Sequence, residues 1–184
     1  MVAAKGSDIE VSAGGDALAR AVATAPAGAR LRLLPGEHQA GLLLRQSVSL
    51  LGGPGVRLCS TPRVPVLSVA DPGIWLTLAG LELVGGTAGG LRMSARGRVV
   101  AEDCVFTGNR VRLVGGGGLD ARAGWLTLSR CRFTGNEAPA GGGVQAEGTA
   151  RVELQRCDFE NNRRSEEHTS ELQSLAYLVC RLLL

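Results

Sequence analysis

Two adjacent carboxylates, Glu102 and Asp103, are the residues of this sequence that best suit polar chemistry. Such a pair can ligate a hard cation such as Ca²⁺ or act as the acid and base of glycoside hydrolysis. The equivalent places in the following two sequence repeats hold Arg130 and Arg156. Because the surroundings are basic, we expect surface salt bridges. No catalytic or metal-binding residue is assigned, and Glu102 and Asp103 stand as the candidates for both roles.

The cysteines do not have the spacing of a zinc site, because the sequence contains no C-x-x-C pair with a nearby histidine. Cys104, Cys131 and Cys157 occupy equivalent repeat positions, and we expect them to be buried free thiols stacked in a column. A disulfide between neighbouring coils is the alternative. His38 follows a Pro-Gly turn and has no visible catalytic partner.

Two tryptophans, Trp75 and Trp125, lie just before equivalent apolar segments. Exposed tryptophans would suit stacking on sugars, but we expect partial burial at a corner of the fold. Arg132 and Asp158 fall at equivalent outward positions, which predicts an exposed pair between neighbouring strands.

A repeat organises these residues. Three segments align without gaps, VVAEDCVFTGN from Val99, LTLSRCRFTGN from Leu126 and VELQRCDFENN from Val152, and a weaker copy, LTLAGLELVGG, starts at Leu76. Apolar residues alternate with polar ones, apart from one extra residue in the middle, which predicts two short inward-facing strands joined by a bend. Glycine clusters then lead to a third short apolar segment.

Equivalent residues of stacked repeats should form columns along the molecule. These are Leu81, Cys104, Cys131 and Cys157; Leu83, Phe106, Phe133 and Phe159; and Gly86, Asn109, Asn136 and Asn162. We expect the asparagines to adopt a left-handed backbone at a tight turn, as Gly86 would, with side-chain amides bonded along the axis.

Three short strands per repeat predict an all-β fold, a parallel β-helix whose stacked coils share one core. A leucine-rich repeat has a similar period, but its helical half does not suit glycine-rich segments. Residues 16–24 (DALARAVAT) predict a short helix that caps the first coil, with Asp16 as N-cap and Pro26 beyond its end. Residues 29–34 and 42–51 predict strands.

The last 21 residues differ from the rest. Residues 164–174 (RSEEHTSELQS) and 178–184 (LVCRLLL) resemble the two ends of a translated short-read sequencing adapter, and residues 175–177 would cover its variable index. We therefore divide the chain into an N-terminal segment 1–13, a β-helix of about five coils over 14–163, and a non-native tail 164–184. We expect a weakly packed or disordered tail, a longer natural protein, and self-association through the open C-terminal edge.

Composition excludes several classes. The 184 residues include 27 glycines without a strict period of three, which excludes collagen, and 45% apolar residues, which argues against disorder. A net charge of +3 gives no reason to expect nucleic acid as a partner. No transmembrane segment is predicted, and the first ten residues lack the apolar stretch of a signal peptide.

The chain resembles two kinds of β-helix protein. Residues 14–38 (GGDALARAVATAPAGARLRLLPGEH) and SVSLLGG from Ser47 are similar to the start of pectate-lyase-like right-handed β-helices. The later copies resemble the polymorphic outer-membrane-protein repeat, with F-x-x-N starting at Phe106, Phe133 and Phe159 and with GGGL and GGGV in place of its GGA motif. The resemblance implies a right-handed β-helix and an extracellular or cell-surface location.

Function is implied only in outline, because one fold supports many activities. We expect a non-catalytic β-helix scaffold, a fragment of a surface, adhesin-like or carbohydrate-binding protein, with a polysaccharide or cell-surface glycan as partner and no cofactor. The alternative is a fragment of a polysaccharide lyase or glycoside hydrolase whose active-site coils are missing. Only in that case would Ca²⁺ be required, and whether the natural protein is an enzyme stays open.

Overall fold

The computed structural model describes residues 8–164 and the backbone of Leu178–Val179. This part of the chain is mostly β-structure with one short helix near the N-terminus, and it forms a parallel β-solenoid of about six turns. The described strands pair in parallel with their equivalents one turn away. The predicted all-β solenoid is therefore confirmed, with about one turn more than the repeat pattern predicts.

Each turn passes through three faces, and the strands divide among them as follows. Face 1 contains β1 (Ile9–Val11), β2 (Ala29–Leu33), β5 (Val48–Leu51), β8 (Trp75–Ala79), β11 (Arg98–Glu102), the later parts of β13 (Leu119–Ser129) and β16 (Val144–Gln155), and β19 (Leu178–Val179). Face 2 contains β3 (Gly36–Gln39), β6 (Val56–Cys59), β9 (Glu82–Val84), β12 (Val105–Thr107), β14 (Arg132–Thr134) and β17 (Asp158–Glu160). Face 3 contains β4 (Leu42–Leu44), β7 (Leu67–Val69), β10 (Leu91–Met93) and the early parts of β13 and β16, while β15 (Glu137–Ala138) pairs with β18 (Arg163–Arg164).

The core follows from alternation along each strand, since every second side chain points inward. On face 1 one inward position forms a column whose five middle side chains are fully buried. These five are Leu31, Leu50, Leu78, Ala101 and Leu128. No single coil could bury such a surface, so the core forms only when coils stack.

The phenylalanines of face 2 stack directly on one another. The Phe106 and Phe133 rings are 4.6 Å apart, and the Phe133 and Phe159 rings are 4.9 Å apart, with the two rings of each pair nearly parallel. Glycine is required beside them, because a Cβ at Gly118 would lie 2.7 Å from Cδ1 of Phe133. The glycine-rich segments thus allow the backbone of the next face to pack against the rings.

Asparagine side chains form a hydrogen-bonded ladder beside the phenylalanines, which we call the asparagine ladder (Asn109, Asn136 and Asn162). Nδ2 of Asn136 donates to the Phe106 carbonyl at 2.8 Å and to Oδ1 of Asn162 at 2.9 Å. Oδ1 of Asn136 in turn accepts from the backbone N–H and from Nδ2 of Asn109. At the weak copy, the N–H of Gly86 donates to Oδ1 of Asn109. The bonds along the axis are those expected from the sequence.

The expected backbone of these asparagines is wrong. The left-handed residues lie one position earlier, at Gly85, Gly108, Gly135 and Asn161, with φ of 65°, 61°, 62° and 53°. The turn therefore places the positive φ on a residue that is glycine in three of the four copies. The asparagines are needed instead for their side-chain amides, which satisfy backbone groups inside the turn.

A short helix covers the N-terminal end. Helix α1 (Ala17–Thr24) buries Leu18 and Val22 against the solenoid and ends before Pro26, as predicted. Asp16 occupies the N-cap position, but its side chain makes no capping bond and lies 3.3 Å from Arg20 instead. Its ψ of 14° departs from the extended backbone that aims a cap side chain at the first-turn N–H groups.

Two strand predictions needed adjustment. The stretch 42–51 forms two strands, β4 and β5, on different faces. In the last two turns the third strand of one coil runs without a break into the first strand of the next, which produces the long strands β13 and β16. The backbone of β19 pairs with Val152 and Glu153 of β16. The predicted weak packing of the tail concerns residues that lie, for the most part, outside those described.

Candidate functional site

The outer side of face 1 presents a straight column of alternating tryptophan and arginine, which we call the Trp–Arg ladder (Trp75, Arg98, Trp125 and Arg151). Strand register places Trp75 beside Arg98, Arg98 beside Trp125, and Trp125 beside Arg151. Each member directly precedes a buried residue of its strand, so alternation turns all four outward. The ladder runs along the solenoid axis, across the strands.

Both tryptophans are largely exposed, with 64% of Trp75 and 57% of Trp125 accessible to solvent. The expected partial burial is therefore wrong, because both side chains point into solvent where the face 1 part of their strands begins. Two strand spacings of about 4.8 Å separate them, or about 9.6 Å along the axis. Thr77 and Thr127 each lie two residues after a tryptophan, on the same outer side of the strand.

The arginines of the ladder give it a positive charge. Arg98 and Arg151 are exposed, and within residues 8–164 no carboxylate lies within 4.0 Å of either guanidinium. A guanidinium presents a planar fork of N–H donors that matches carboxylate and sulfate oxygens. The indole faces offer apolar surface for stacking. The ladder can therefore bind a flat, polar and acidic molecule without reacting with it.

The carboxylate candidates lie at the end of β11 and at the bend after it. Arg130 of the next coil donates to both oxygens of Asp103, at 2.8 and 3.0 Å, and also to Glu102. This guanidinium lowers the pKa of the Asp103 carboxyl from its usual value, and the two carboxylates raise the pKa of Arg130. These ion pairs link two neighbouring coils on the outer surface of the solenoid. A catalytic or metal-binding role for the pair stays a prediction.

The remaining candidates lie elsewhere. His38 is 1% exposed and packs in line with Leu58 and Leu83 below the phenylalanines, with Nε2 2.8 Å from the Leu34 carbonyl. Its position is structural. The outward pair of Arg132 and Asp158 is present at 4.0 Å with both side chains exposed.

The chain matches no protein-family model, and no curated protein matches it. Within residues 8–164, no three His, Cys, Asp or Glu side chains are grouped to hold a metal ion. The helix of the described part is too short to cross a membrane. The function must therefore be argued from the solenoid and its surfaces alone.

The site residues predicted from the sequence did not include the two arginines of the Trp–Arg ladder. Alignment of the copies on Leu76, Val99, Leu126 and Val152 already places residues 75, 98, 125 and 151 in one column. Alternation then requires this column to face outward, because the aligned apolar residues face inward. The signal was present, but the four residues differ too much in type to be recognised as a repeat.

Proposed function

We propose that this chain is a non-catalytic β-solenoid scaffold that binds a glycan along the Trp–Arg ladder, as part of a surface or adhesin-like protein. The observation that carries the proposal is the pair of exposed tryptophans in strict strand register, two coils apart. Isolated exposed apolar residues are common, but large aromatics repeated at equivalent positions of a rigid sheet favour a binding surface.

An extended polysaccharide suits the shape of the ladder. Its chain would run along the solenoid axis, and sugar rings would stack on Trp75 and Trp125 about 9.6 Å apart. The sugar between them would lie over Arg98, which favours a carboxylate, a sulfate or closely placed hydroxyl groups at that point. The hydroxyls of Thr77 and Thr127 would fix the orientation of the stacked rings.

We also propose that the solenoid is right-handed and that it is related to the two kinds of β-helix protein that the sequence resembles. Crossovers between parallel strands are right-handed in about 98% of cases, which supports a right-handed solenoid. The F-x-x-N and GGG motifs support kinship with polymorphic outer-membrane-protein repeats, and the N-terminal segment supports kinship with pectate-lyase-like proteins. A cell-surface location would suit both.

The second candidate is a fragment of a lyase or hydrolase, and it depends on Glu102 and Asp103. One observation weighs against it, because Arg130 already engages both carboxylates. A base or nucleophile in this state would first have to leave its ion pair.

Binding to immobilised acidic and neutral polysaccharides tests the proposal. We expect retention that falls at least about tenfold in a Trp75→Ala, Trp125→Ala double variant, equivalent to about 1.4 kcal/mol. Leu113→Ala is the matched control, since Leu113 is 85% exposed but lies outside the ladder, on the loop before β13. Equal binding by the double variant and the control would overturn the site, and cleavage of any glycan, with or without Ca²⁺, would overturn the non-catalytic reading.

A further inference from the structure

The inner side of the solenoid holds three thiols in one line, the cysteine column (Cys104, Cys131 and Cys157). Each cysteine directly precedes a strand of face 2, and register places the three on neighbouring coils. Cys104 and Cys131 are buried, whereas Cys157 is partly exposed. All three are free thiols.

The three side chains share one conformation. Each thiol donates to the carbonyl two residues before it: Cys104 to Glu102, Cys131 to Ser129 and Cys157 to Gln155, at 3.3, 3.4 and 3.5 Å. Equal conformations on stacked strands place neighbouring sulfurs one coil apart. We therefore expect the sulfurs to be about one strand spacing, or about 4.8 Å, apart. The phenylalanine rings two residues later on the same strands repeat at a similar interval, with centroids 4.6 and 4.9 Å apart.

This step is too long for a disulfide as the side chains stand, because its sulfurs are about 2.05 Å apart. It suits instead a metal ion lying between two sulfurs in a straight line. A metal–thiolate bond of about 2.3 Å, the length found for zinc, gives a span of about 4.6 Å when doubled. Zinc itself needs four ligands, and no group of three possible ligands lies together within residues 8–164.

We propose that Cys131 and Cys157 form a two-coordinate site for a soft monovalent cation, with Cu(I) as the physiological member of that class. Thiolate ligands select Cu(I) over harder cations. Binding forms two metal–sulfur bonds and releases the two thiol protons to solvent, and the oxidation state of the metal does not change. Cys104 extends the column on the buried side of Cys131.

The site is accessible from one end. Among the described residues, Cys157 lines a concavity of about 970 Å³ together with Leu154, Phe159 and Asn162. An ion could reach Cys157 from this concavity and then Cys131 behind it.

Anaerobic titration of the folded 184-residue chain with Cu(I), against a competing chelator, tests the site. All samples carry Cys180→Ser, so that this cysteine, which lies outside the described residues, does not contribute. We expect one Cu(I) per chain, a thiolate-to-metal absorption band and an unchanged circular dichroism spectrum. Cys157→Ser should weaken binding by more than about 100-fold, beyond the effect of losing a supporting contact. Cys59→Ser, on face 2 but outside the column, should bind as before.

Three results would overturn the proposal. Equal affinity in the Cys157→Ser variant would show that another site holds the metal. Binding that requires loss of the β-spectrum would mean that the folded column does not accept the ion. A reagent count of fewer free thiols than cysteines in the untreated Cys180→Ser protein would mean that the column is already bridged by a disulfide.

Discussion

Removal of one buried amide should destabilise the solenoid far more than its size suggests. Asn136 lies in the middle of the asparagine ladder and is 0% exposed. Its side chain bonds to the coil before it, through Asn109 and the Phe106 carbonyl, and to the coil after it, through Asn162. The substitution Asn136→Ala therefore breaks the ladder in both directions.

The expected loss in the free energy of unfolding follows from the polar groups that Asn136→Ala leaves without hydrogen-bond partners. The backbone N–H of Asn109, one Nδ2 hydrogen of Asn109 and the carbonyl of Phe106 each lose a hydrogen bond, with lengths of 3.1, 2.9 and 2.8 Å. A buried polar group without a partner costs about 1–3 kcal/mol. Three such groups give a loss of about 3–6 kcal/mol in the free energy of unfolding when each costs about 1–2 kcal/mol, the lower half of this range.

Urea unfolding followed by circular dichroism measures this loss. Asn162→Ala is the matched control, because it removes equivalent bonds at the partly exposed last described coil, where water can replace them. We expect the control to lose about 1–2 kcal/mol. Hydrogen exchange should also accelerate at the N–H of Asn109 in the Asn136 variant. A loss below about 1 kcal/mol, or no larger than that of the control, would refute the ladder as a source of stability.

Three further outcomes are expected. Gly118→Ala should lower the midpoint of thermal unfolding, because the new Cβ would press on Phe133. Gly53→Ala should leave the midpoint unchanged, because nothing lies within 4 Å of its Cβ position. Equal midpoints for the two variants would contradict the steric account. The lowered pKa of Asp103 contributes stability that is present above the unfolded value, near 3.8, and lost as pH falls through the lower folded value. Urea midpoints measured between pH 5 and 2 should therefore fall less steeply for Asp103→Asn, and identical slopes would show that the pair with Arg130 adds nothing. The self-association through the C-terminal edge that the sequence predicts should appear as concentration-dependent light scattering, and a strictly monomeric protein at all concentrations would contradict this.

Much of the solenoid could be predicted because its marker residues recur without gaps. Cys131, Phe133 and Asn136 have the same residue types as the equivalent positions of the copies before and after them. Alignment of the sequence repeats therefore already gives the strand register. Each marker also has a physical reason to stack on its like: thiols fill narrow space, rings stack flat, and amides bond in series. The earlier coils lack these markers, which is why their number was underestimated.

The errors came from features that the repeat does not encode in residue type. The left-handed residue is Gly135 and not, as predicted, Asn136. Both residue types tolerate this backbone, so residue type alone does not decide which of the two adopts it. The exposure of Trp125 was misjudged from its bulk, although its place before buried Leu126 determines its direction. Two short strands were expected where the structure has the single long strand β13. Whether the strand continues depends on the backbone at Gly124, which composition does not reveal.

The strict register of the columns also shapes how a gene for such a protein can change. Duplication or loss of one whole coil joins Cys to Cys, Phe to Phe and Asn to Asn, so each new contact is of a kind already present. A one-residue change inside a strand would instead turn the polar residues that follow it in that strand toward the core. Length should therefore vary among relatives in steps of one coil, and the number of tryptophan platforms on the outer surface would vary with it.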